Sequence, residues 1–204
     1  GNPSHRLLAG YSLDQRKEHL TRLQSEEFDV VVVGGGITGA GVALDASSRG
    51  LRTALLERAD FASGTSSRSS KLVHGGLRYL AQRQFKVTYH SCAERYVLCH
   101  LAPQMVEPIP FILPIYGSRL GSAKITGALW LYDLMSLPRN VGRHHWIDRA
   151  DVLHWAPELK SEDLAGGFTF SDCRTDDARL TLAVLKTAAK HGAAIANYVE
   201  ARGF

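Results

Sequence analysis

The order of hydrophobic and polar positions along this chain predicts strands that alternate with helices. The clearest strand is Val30–Val33, four consecutive β-branched residues, and a second apolar run covers residues 53–56. The Ala-rich and Gly-rich segment between them has the length of a helix. We therefore predict a βαβ unit with two parallel strands. Shorter apolar runs predict further strands at residues 111–116, 166–170 and 193–199.

Helical periodicity and capping residues predict five further helices. We place them at residues 12–27, 84–101, 118–137, 148–155 and 177–190, with Ser12, Asp148 and the Asp176–Asp177 pair as N-terminal capping groups. The second of these helices carries a stripe spaced four, three, four and three, which predicts a buried face: Phe85, Tyr89, Cys92, Tyr96 and Cys99. Prolines from position 103 onward are expected to end that helix.

Three glycines directly after the first predicted strand indicate a dinucleotide-binding turn. Gly34 would allow a tight turn, Gly36 would let the backbone approach a pyrophosphate, and Gly39 would let the helix pack closely on the strand. Glu57, at the end of the second strand, would accept hydrogen bonds from a ribose and disfavours a 2′-phosphate. Both FAD and NAD fit this pattern.

Charge and cysteine content narrow the class of protein. The 204 residues carry a net charge of +4, which suits an anionic substrate or an anionic membrane surface and does not favour nucleic acid. Three cysteines do not make a disulfide framework, and Cys92 and Cys99 would lie about 10 Å apart on one helix. A reducing compartment is the simpler interpretation. No run of 18 or more apolar residues predicts a membrane span.

Histidine positions do not predict a metal site. His144, His145 and His154 lack a carboxylate or cysteine at ligand spacing, so we expect no metal.

The segment at residues 60–80 reads DFASGTSSRSSKLVHGGLRYL. Its polar first half alone is typical of a flexible linker, but it continues into apolar residues and a glycine pair. Together with the glycine turn, TSSRSSKLVHGGLRYL resembles the FAD-dependent glycerol-3-phosphate dehydrogenase family, within the D-amino-acid-oxidase-like flavoproteins. Segments at residues 102–111, 131–133 and 171–180 extend the resemblance.

The resemblance implies an α/β fold, a Rossmann-like FAD-binding domain with the start of a substrate-capping sheet domain. The expected parts are an N-terminal extension with a helix (1–27), two parts of the FAD-binding domain (28–101 and 172–204) and the start of the cap (102–171). Members of the family are much longer. The remainder of both domains and a C-terminal helical domain are therefore expected outside these 204 residues.

The resemblance also implies FAD as cofactor and a set of residues around it. The implied cofactor residues are Gly34, Gly36, Gly39, Glu57, Ser66, Ser67, Ser70, Lys71, Leu72 and His74. Arg78 and Tyr79 would contact substrate, and no catalytic base is assigned. Each has an alternative: the serines can serve as turn or capping residues, His74 as a buried structural histidine and Tyr79 as a packing residue.

The implied reaction is oxidation of sn-glycerol 3-phosphate to dihydroxyacetone phosphate, with electrons passed to a quinone. Alternatives are an oxidase that uses O2 and, for this chain alone, a non-catalytic FAD-binding or nucleotide-binding fragment. The implied location is cytoplasmic. Peripheral contact with the inner face of the cell membrane, through the apolar helix around Trp130, competes with core packing of that helix. The resemblance leaves a homodimer open.

Overall fold

The computed structural model describes residues 12–118, 122–137 and 141–203. They form two compact units, one of residues up to 71 together with those from 176 onward, and one of residues 72–175. The helices are α1 (Leu13–Ser25), α2 (Ile37–Ser48), α3 (Leu77–Ala81), α4 (Phe85–Leu101), α5 (Ala123–Ser136), α6 (Arg149–Trp155) and α7 (Asp177–Lys190). The strands are β1 (Val30–Val33), β2 (Thr53–Glu57), β3 (Leu72–Val73), β4 (Val106–Tyr116), β5 (His145–Ile147), β6 (Leu164–Thr175) and β7 (Ala194–Asn197).

Domain boundaries predicted from the sequence do not coincide with the limits of these units. Residues 72–101, predicted to belong to the FAD-binding domain, fall in the second compact unit. The functional boundaries stay a prediction. Residues 1–11 of the predicted N-terminal extension lie outside the described residues.

A parallel three-stranded sheet in the order β1-β2-β7 forms the centre of the first unit. The predicted βαβ unit is confirmed, because α2 connects β1 to β2 and the two strands pair in parallel. β7 ends earlier than predicted, at Asn197. The next residue, Tyr198, has a positive φ of 54°, which ends the extended backbone.

Small side chains let α2 and α7 pack closely over this sheet. Ala40, Ala43 and Ala188 are fully buried, and the Ser47 hydroxyl on α2 donates to the Ala188 carbonyl oxygen on α7. The core that they complete also contains Val32, Leu55, Phe61, Leu185, Ala193 and Ile195. This packing holds α2 on the sheet, with its N-terminus after β1.

Helix α1 lies against β7. It begins with the predicted cap, since the Ser12 hydroxyl accepts from the Gln15 N–H and the Gln15 side chain accepts from the Ser12 N–H. His19 is buried, with Nδ1 3.0 Å from the Ile195 carbonyl oxygen. Burial lowers the pKa of His19, because the charged form loses hydration.

The second unit contains an antiparallel sheet in the order β3-β6-β4, with β5 also paired to β6. β4 begins at Val106, well before the predicted position 111, although it contains Pro108, Pro110 and Pro114. The three prolines share even positions on a strand that pairs with β6 on one side. Their missing N–H groups therefore point away from β6 and cost no sheet hydrogen bond.

The buried face of α4 differs from the predicted stripe. Cys92 is buried as expected, but Phe85 and Tyr89 are 49% and 47% exposed, and Thr88 and Arg95 take the inward positions. The prediction was wrong at these positions because it used hydrophobicity alone. Arg95 tolerates complete burial because a carboxylate on β6, Asp172, neutralises it.

Helix α5 has one buried side and one exposed apolar side. Leu129 and Tyr132 are buried, which agrees with core packing, whereas Trp130 and Leu134 are 66% and 65% exposed. Among the described residues, no helix is both long and apolar enough to cross a membrane.

The histidines that follow α5 make local contacts. His144 Nδ1 lies 2.7 Å from an oxygen of Asp133, and the His145 ring contacts the Thr169 hydroxyl. Within the described ranges, no three His, Cys, Asp or Glu side chains are grouped as metal ligands would be.

Candidate functional site

The turn between β1 and α2 requires glycine at two of its predicted positions. Gly34 has a φ of +114°, which L side chains rarely adopt, and its N–H donates to the Leu56 carbonyl oxygen on β2. A Cβ on Gly39 would lie 2.0 Å from the Gly34 carbonyl oxygen and 3.3 Å from a Val32 methyl group. The first glycine thus forms the turn, and Gly39 lets α2 lie directly on it.

Gly35 is a third sterically required glycine, which the spacing of the glycine turn did not predict. It is buried, and a Cβ there would lie 2.7 Å from the Phe61 ring and 2.9 Å from the Glu57 side chain. Its position inside a GGG run was the available signal. The absence of a side chain lets its backbone N–H reach Glu57.

The Glu57 carboxylate is held by two backbone N–H groups. Gly35 N–H donates to Oε2 at 2.7 Å, and Ala59 N–H donates to Oε1 at 2.8 Å. These bonds fix the carboxylate at the carboxyl end of β2 and leave further lone pairs on each oxygen. A ribose diol requires an acceptor of this kind, placed beyond the end of this strand.

The N-terminus of α2 is open to an anion. Its N-cap residue, Gly36, has no side chain, and the Ile37 N–H donates to the Ser66 hydroxyl at 2.9 Å. Ser66 and Ser67 belong to a 3₁₀ turn at Thr65–Ser67. A Cβ on Gly36 would lie 3.2 Å from the Ser66 oxygen. Backbone N–H groups, a helix dipole and a serine hydroxyl therefore converge where a phosphate would need them.

A cleft of about 300 Å³ lies at the carboxyl ends of the three parallel strands. Ligands of open α/β sheets bind at this edge. The cleft is lined by Val33, Gly34, Leu56, Glu57, Arg58, Val199, Glu200 and Ala201. The glycines, the fixed carboxylate and the cleft together fit the adenosine and pyrophosphate of a dinucleotide.

The serine-rich loop, residues 58–71 between β2 and β3, is anchored to α7 in its second half. The Ser69 hydroxyl donates to Asp177, and the Lys71 N–H donates to the Ser69 oxygen at 3.0 Å. The hydrogen bond from Ser69 lowers the pKa of Asp177. Lys71 has a positive φ of 58°, and both it and Ser70 are exposed. The loop therefore has a defined path, unlike the flexible linker that its composition indicates.

A second cleft, of about 410 Å³, lies in the second unit. Its walls combine residues on either side of the Gly75–Gly76 pair with two aromatic residues of the sheet. They comprise Leu72, His74, Gly76, Leu77, Arg78, Tyr79, Gln82, Phe111, Phe170 and Asp172. His74 and Arg78 are exposed, and the His74 ring lies 6.1 Å from the Tyr79 ring. The cleft is thus partly aromatic, with a guanidinium at its surface.

A buried charge cluster fixes the backbone of this cleft. Asp172 accepts from the Gly75 N–H at 2.8 Å, from the Tyr132 hydroxyl at 3.2 Å and from Arg95. Arg95 also donates to Tyr132 and to the Ser171 carbonyl oxygen. Burial raises the pKa of Tyr132, so this group remains a hydroxyl donor.

Close packing around Gly75 explains why the cluster controls the glycine pair. A Cβ on Gly75 would lie 2.1 Å from the Tyr132 hydroxyl oxygen and 2.7 Å from the Cys92 sulfur. Gly76 follows with a φ of +79° and is the N-cap residue of α3, which carries Arg78 and Tyr79. The cluster therefore positions the start of α3 through the backbone of Gly75.

Residues 29–204 match the family model described as DAO, FAD dependent oxidoreductase. The chain belongs to this family of FAD-dependent oxidoreductases. Its predicted fold class is confirmed as the FAD-binding fold of the D-amino-acid-oxidase-like group, because the parallel sheet, the glycine turn and the family match agree.

Relatives within the DAO family include glycerol-3-phosphate dehydrogenases. The chain is 44% identical over 191 residues to the aerobic glycerol-3-phosphate dehydrogenase of Staphylococcus aureus (strain NCTC 8325 / PS 47), covering 93% of this chain and 34% of the relative. It is thus similar to about a third of that protein's length. The resemblance to the glycerol-3-phosphate dehydrogenase family, stated from the sequence, is confirmed.

Solved structures of similar fold include another glycerol-3-phosphate dehydrogenase. The glycerol-3-phosphate dehydrogenase from Bacillus halodurans, complexed with FAD, matches with a TM-score of 0.68 and 35% identity, covering 93% of this chain and 30% of that one. The L-proline dehydrogenase from P. horikoshii matches with a TM-score of 0.64 at 18% identity, covering 88% of this chain and 46% of that one. The second similarity shows the fold alone.

The structure distributes the predicted site residues of this DAO-family chain between the two units. The first unit contains Gly34, Gly36, Gly39, Glu57, Ser66, Ser67, Ser70 and Lys71. The second contains Leu72, His74, Arg78 and Tyr79, all of which line its cleft. Their roles in binding stay predictions.

Three polar residues near the second cleft were missed as functional groups. Asp172 lies within a segment that carried the resemblance, at residues 171–180, but the sequence suggested no role for it. Arg95 and Tyr132 lie on helices far from it in sequence, so their convergence could not be read from spacing. The signal for Arg95 was a lone arginine in line with Thr88 and Cys92 at helical spacing.

Proposed function

We propose that this chain is the FAD-binding and substrate-contacting part of an enzyme that oxidises sn-glycerol 3-phosphate to dihydroxyacetone phosphate. One observation carries the proposal. The Gly34–Glu57 arrangement, with its fixed carboxylate and open helix N-terminus, occurs in a chain 44% identical to a glycerol-3-phosphate dehydrogenase.

The residues of the first unit would hold FAD. Gly34, Gly36 and the N-terminus of α2 would bind the pyrophosphate, with Ser66 adding a hydroxyl beside the Ile37 N–H. Glu57 would accept from the adenosine ribose. Ser67, Ser70 and Lys71 would continue along the cofactor. For Leu72 and His74, which lie in the second unit, a cofactor role rests on the family resemblance. When bound, FAD supplies the two-electron acceptor for the reaction.

Electrostatics of the second cleft suit an anionic substrate. The Asp172 carboxylate is already paired with buried Arg95, so it adds little net negative charge to the cleft. The exposed Arg78 guanidinium then supplies a positive group, which binds phosphate or hydroxyl oxygens with directed N–H bonds. Tyr79 would orient the glycerol backbone by contact and by its hydroxyl. We assign no catalytic base to this chain.

Oxidation at C2 requires loss of a hydride equivalent from carbon and of a proton from the C2 hydroxyl. The contribution of Arg78 and Tyr79 would be to hold C2 at a fixed distance and orientation. The aromatic walls formed by Phe111 and Phe170 would exclude water from that position.

FAD titration of the purified chain tests the cofactor proposal. We expect saturable binding, read as a change in the flavin visible spectrum and fluorescence. Gly36→Val should abolish binding, because its side chain would fill the space needed by the pyrophosphate and press on Ser66. Gly41→Val is the matched control, since nothing lies within 4 Å of a Cβ there. A chain that does not bind FAD, or a Gly36→Val variant with full occupancy, would contradict the proposal.

Substrate and electron acceptor are tested in the whole enzyme that contains this chain. Arg78→Ala should raise KM for sn-glycerol 3-phosphate while FAD occupancy is unchanged, and unchanged kinetics would remove Arg78 from the substrate site. We propose a quinone as acceptor. Hydrogen peroxide formation at the rate of substrate oxidation under air would instead identify an oxidase.

Contact with a membrane surface through α5 is part of the same proposal. Its support is the exposed apolar side of that helix, where Trp130 and Leu134 are each about two-thirds exposed. Sedimentation with anionic lipid vesicles should fall when both residues are replaced by serine. Equal sedimentation of the two forms would exclude this helix as the contact.

A further inference from the structure

Two cysteines from distant parts of the chain meet in the second unit. Cys99 lies in the last turn of α4 and Cys173 on β6, 74 residues further along, and their sulfur atoms are 3.1 Å apart. An S–S bond is about 2.05 Å long, so covalent bonding requires a closer approach of only about 1 Å. A side-chain rotation at the end of a helix can supply such a movement.

The two thiols differ in access to solvent. Cys99 is partly exposed, whereas Cys173 is fully buried. Burial raises the pKa of Cys173 to about 12, and its contact with Cys99 acts in the same direction. An oxidant in solution therefore reacts first with Cys99, while buried Cys173 remains a protonated thiol.

We propose that Cys99 and Cys173 form an oxidant-responsive dithiol, which a hydroperoxide converts into an intramolecular disulfide. The partly exposed Cys99 sulfur attacks the O–O bond, becomes a sulfenic acid and releases an alcohol, or water in the case of hydrogen peroxide. The Cys173 sulfur then attacks the Cys99 sulfur, the S–O bond breaks and water leaves with the thiol proton. The two thiols lose two electrons, and the hydroperoxide gains them.

The position of this pair connects it to the second cleft. Cys99 is one helical turn beyond Arg95, and Cys173 directly follows Asp172. The disulfide would thus join covalently the same two elements, α4 and β6, that the Arg95–Asp172 ion pair joins non-covalently. Oxidation would restrain the base of the cleft beside the residue that holds Gly75.

The third cysteine provides an internal comparison. Cys92 is buried, and its sulfur lies 3.2 Å from the Ser136 hydroxyl oxygen and 3.6 Å from the Gly75 carbonyl oxygen. It precedes Cys99 by two helical turns, about 10 Å along the axis. Cys92 should therefore remain a thiol when the other two are oxidised.

Thiol counting on the unmodified chain tests the proposal. The reduced chain is exposed to hydrogen peroxide, denatured and alkylated with N-ethylmaleimide, and its adducts are counted by intact mass. We expect three adducts before oxidation and one after it, with dithiothreitol restoring three. Peptide mapping should recover a Cys99–Cys173 linked peptide and alkylated Cys92.

Any of three results would overturn the proposal: three adducts after oxidation, a link that includes Cys92, or a stable sulfenic or sulfinic acid at Cys99. Cys92→Ser should keep the link, and Cys99→Ser should abolish it. The measurement on the unmodified chain decides the proposal even where a variant does not fold.

Discussion

Replacement of Gly39 by alanine should weaken both the fold and the FAD site, whereas the same change at Gly41 should not. A Cβ at position 39 would lie 2.0 Å from the Gly34 carbonyl oxygen, against an ordinary C···O contact of about 3.3 Å. Relief requires a backbone movement of roughly 1.3 Å, and overpacking of this kind costs about 1–3 kcal/mol. At Gly41 nothing lies within 4 Å.

The two variants share one favourable contribution, so their difference isolates the strain. Each replaces a helical glycine by alanine, which stabilises by about 0.5–1 kcal/mol. Gly41→Ala should therefore be slightly more stable than the wild type. Gly39→Ala should be less stable than Gly41→Ala by about 1–3 kcal/mol, the strain alone.

Urea unfolding followed by circular dichroism measures this difference, and FAD titration measures its effect on the site. We expect weaker FAD binding by Gly39→Ala, because α2 would move away from the Gly34 turn, and the turn and the N-terminus of α2 together form the proposed pyrophosphate site. Wild-type affinity is expected for Gly41→Ala. Equal urea midpoints and equal FAD affinities for the two variants would refute the close-packing explanation.

Three further predictions concern buried or fixed polar groups. Glu57→Gln should weaken FAD binding about tenfold in titration, because an amide replaces one of two oxygens that accept backbone N–H bonds; unchanged affinity would contradict it. Asp172→Asn should lower stability by about 3–5 kcal/mol in thermal unfolding, because buried Arg95 loses its counter-charge. Adding Arg95→Met to Asp172→Asn should recover part of that loss. If the stability losses of the two single variants simply add in the double variant, the Arg95–Asp172 ion pair does not contribute. Because the pKa of His19 is lowered in the folded state, the unfolded chain binds more protons, and stability should fall as pH drops below the ordinary value of 6.5. His19→Gln should reduce this dependence of the unfolding free energy on pH. An identical dependence would show that another group causes it.

The first unit could be predicted well from the sequence because its signals are local. Strand β1, the glycine turn, α2 and β2 are consecutive, and each depends on residues within a few positions of it. The caps at Ser12 and Asp176 were also predicted correctly. So was Asp148, an equally local signal in the second unit. Even here Gly35 was missed, since its requirement arises from contact with Phe61 and Glu57 across the turn.

The second unit could be predicted only in part because its determinants are distant in sequence. Arg95, Tyr132 and Asp172 come from α4, α5 and β6, and no periodicity relates them. The apolar stripe predicted for α4 failed for the same reason. An arginine is scored as a surface residue unless its carboxylate partner is known, so the inward face was assigned to aromatic residues that are in fact half-exposed.

Complete burial of Arg95 indicates the role of the cluster formed by Arg95, Tyr132 and Asp172. Replacement of a buried ion pair by apolar residues is often neutral or stabilising, so stability alone is weak support for keeping one. A carboxylate that accepts from Gly75, Tyr132 and Arg95 at once does what an apolar side chain cannot, because it fixes the direction of a backbone N–H in a turn. Thermal unfolding of Asp172→Leu/Arg95→Met and the KM of the whole enzyme should therefore separate. Stability should recover in part, because the unpaired charge is gone but the buried Gly75 N–H and Tyr132 hydroxyl still lack their acceptor. Substrate binding near Arg78 should remain impaired. Recovery of both would reduce the cluster to a packing role.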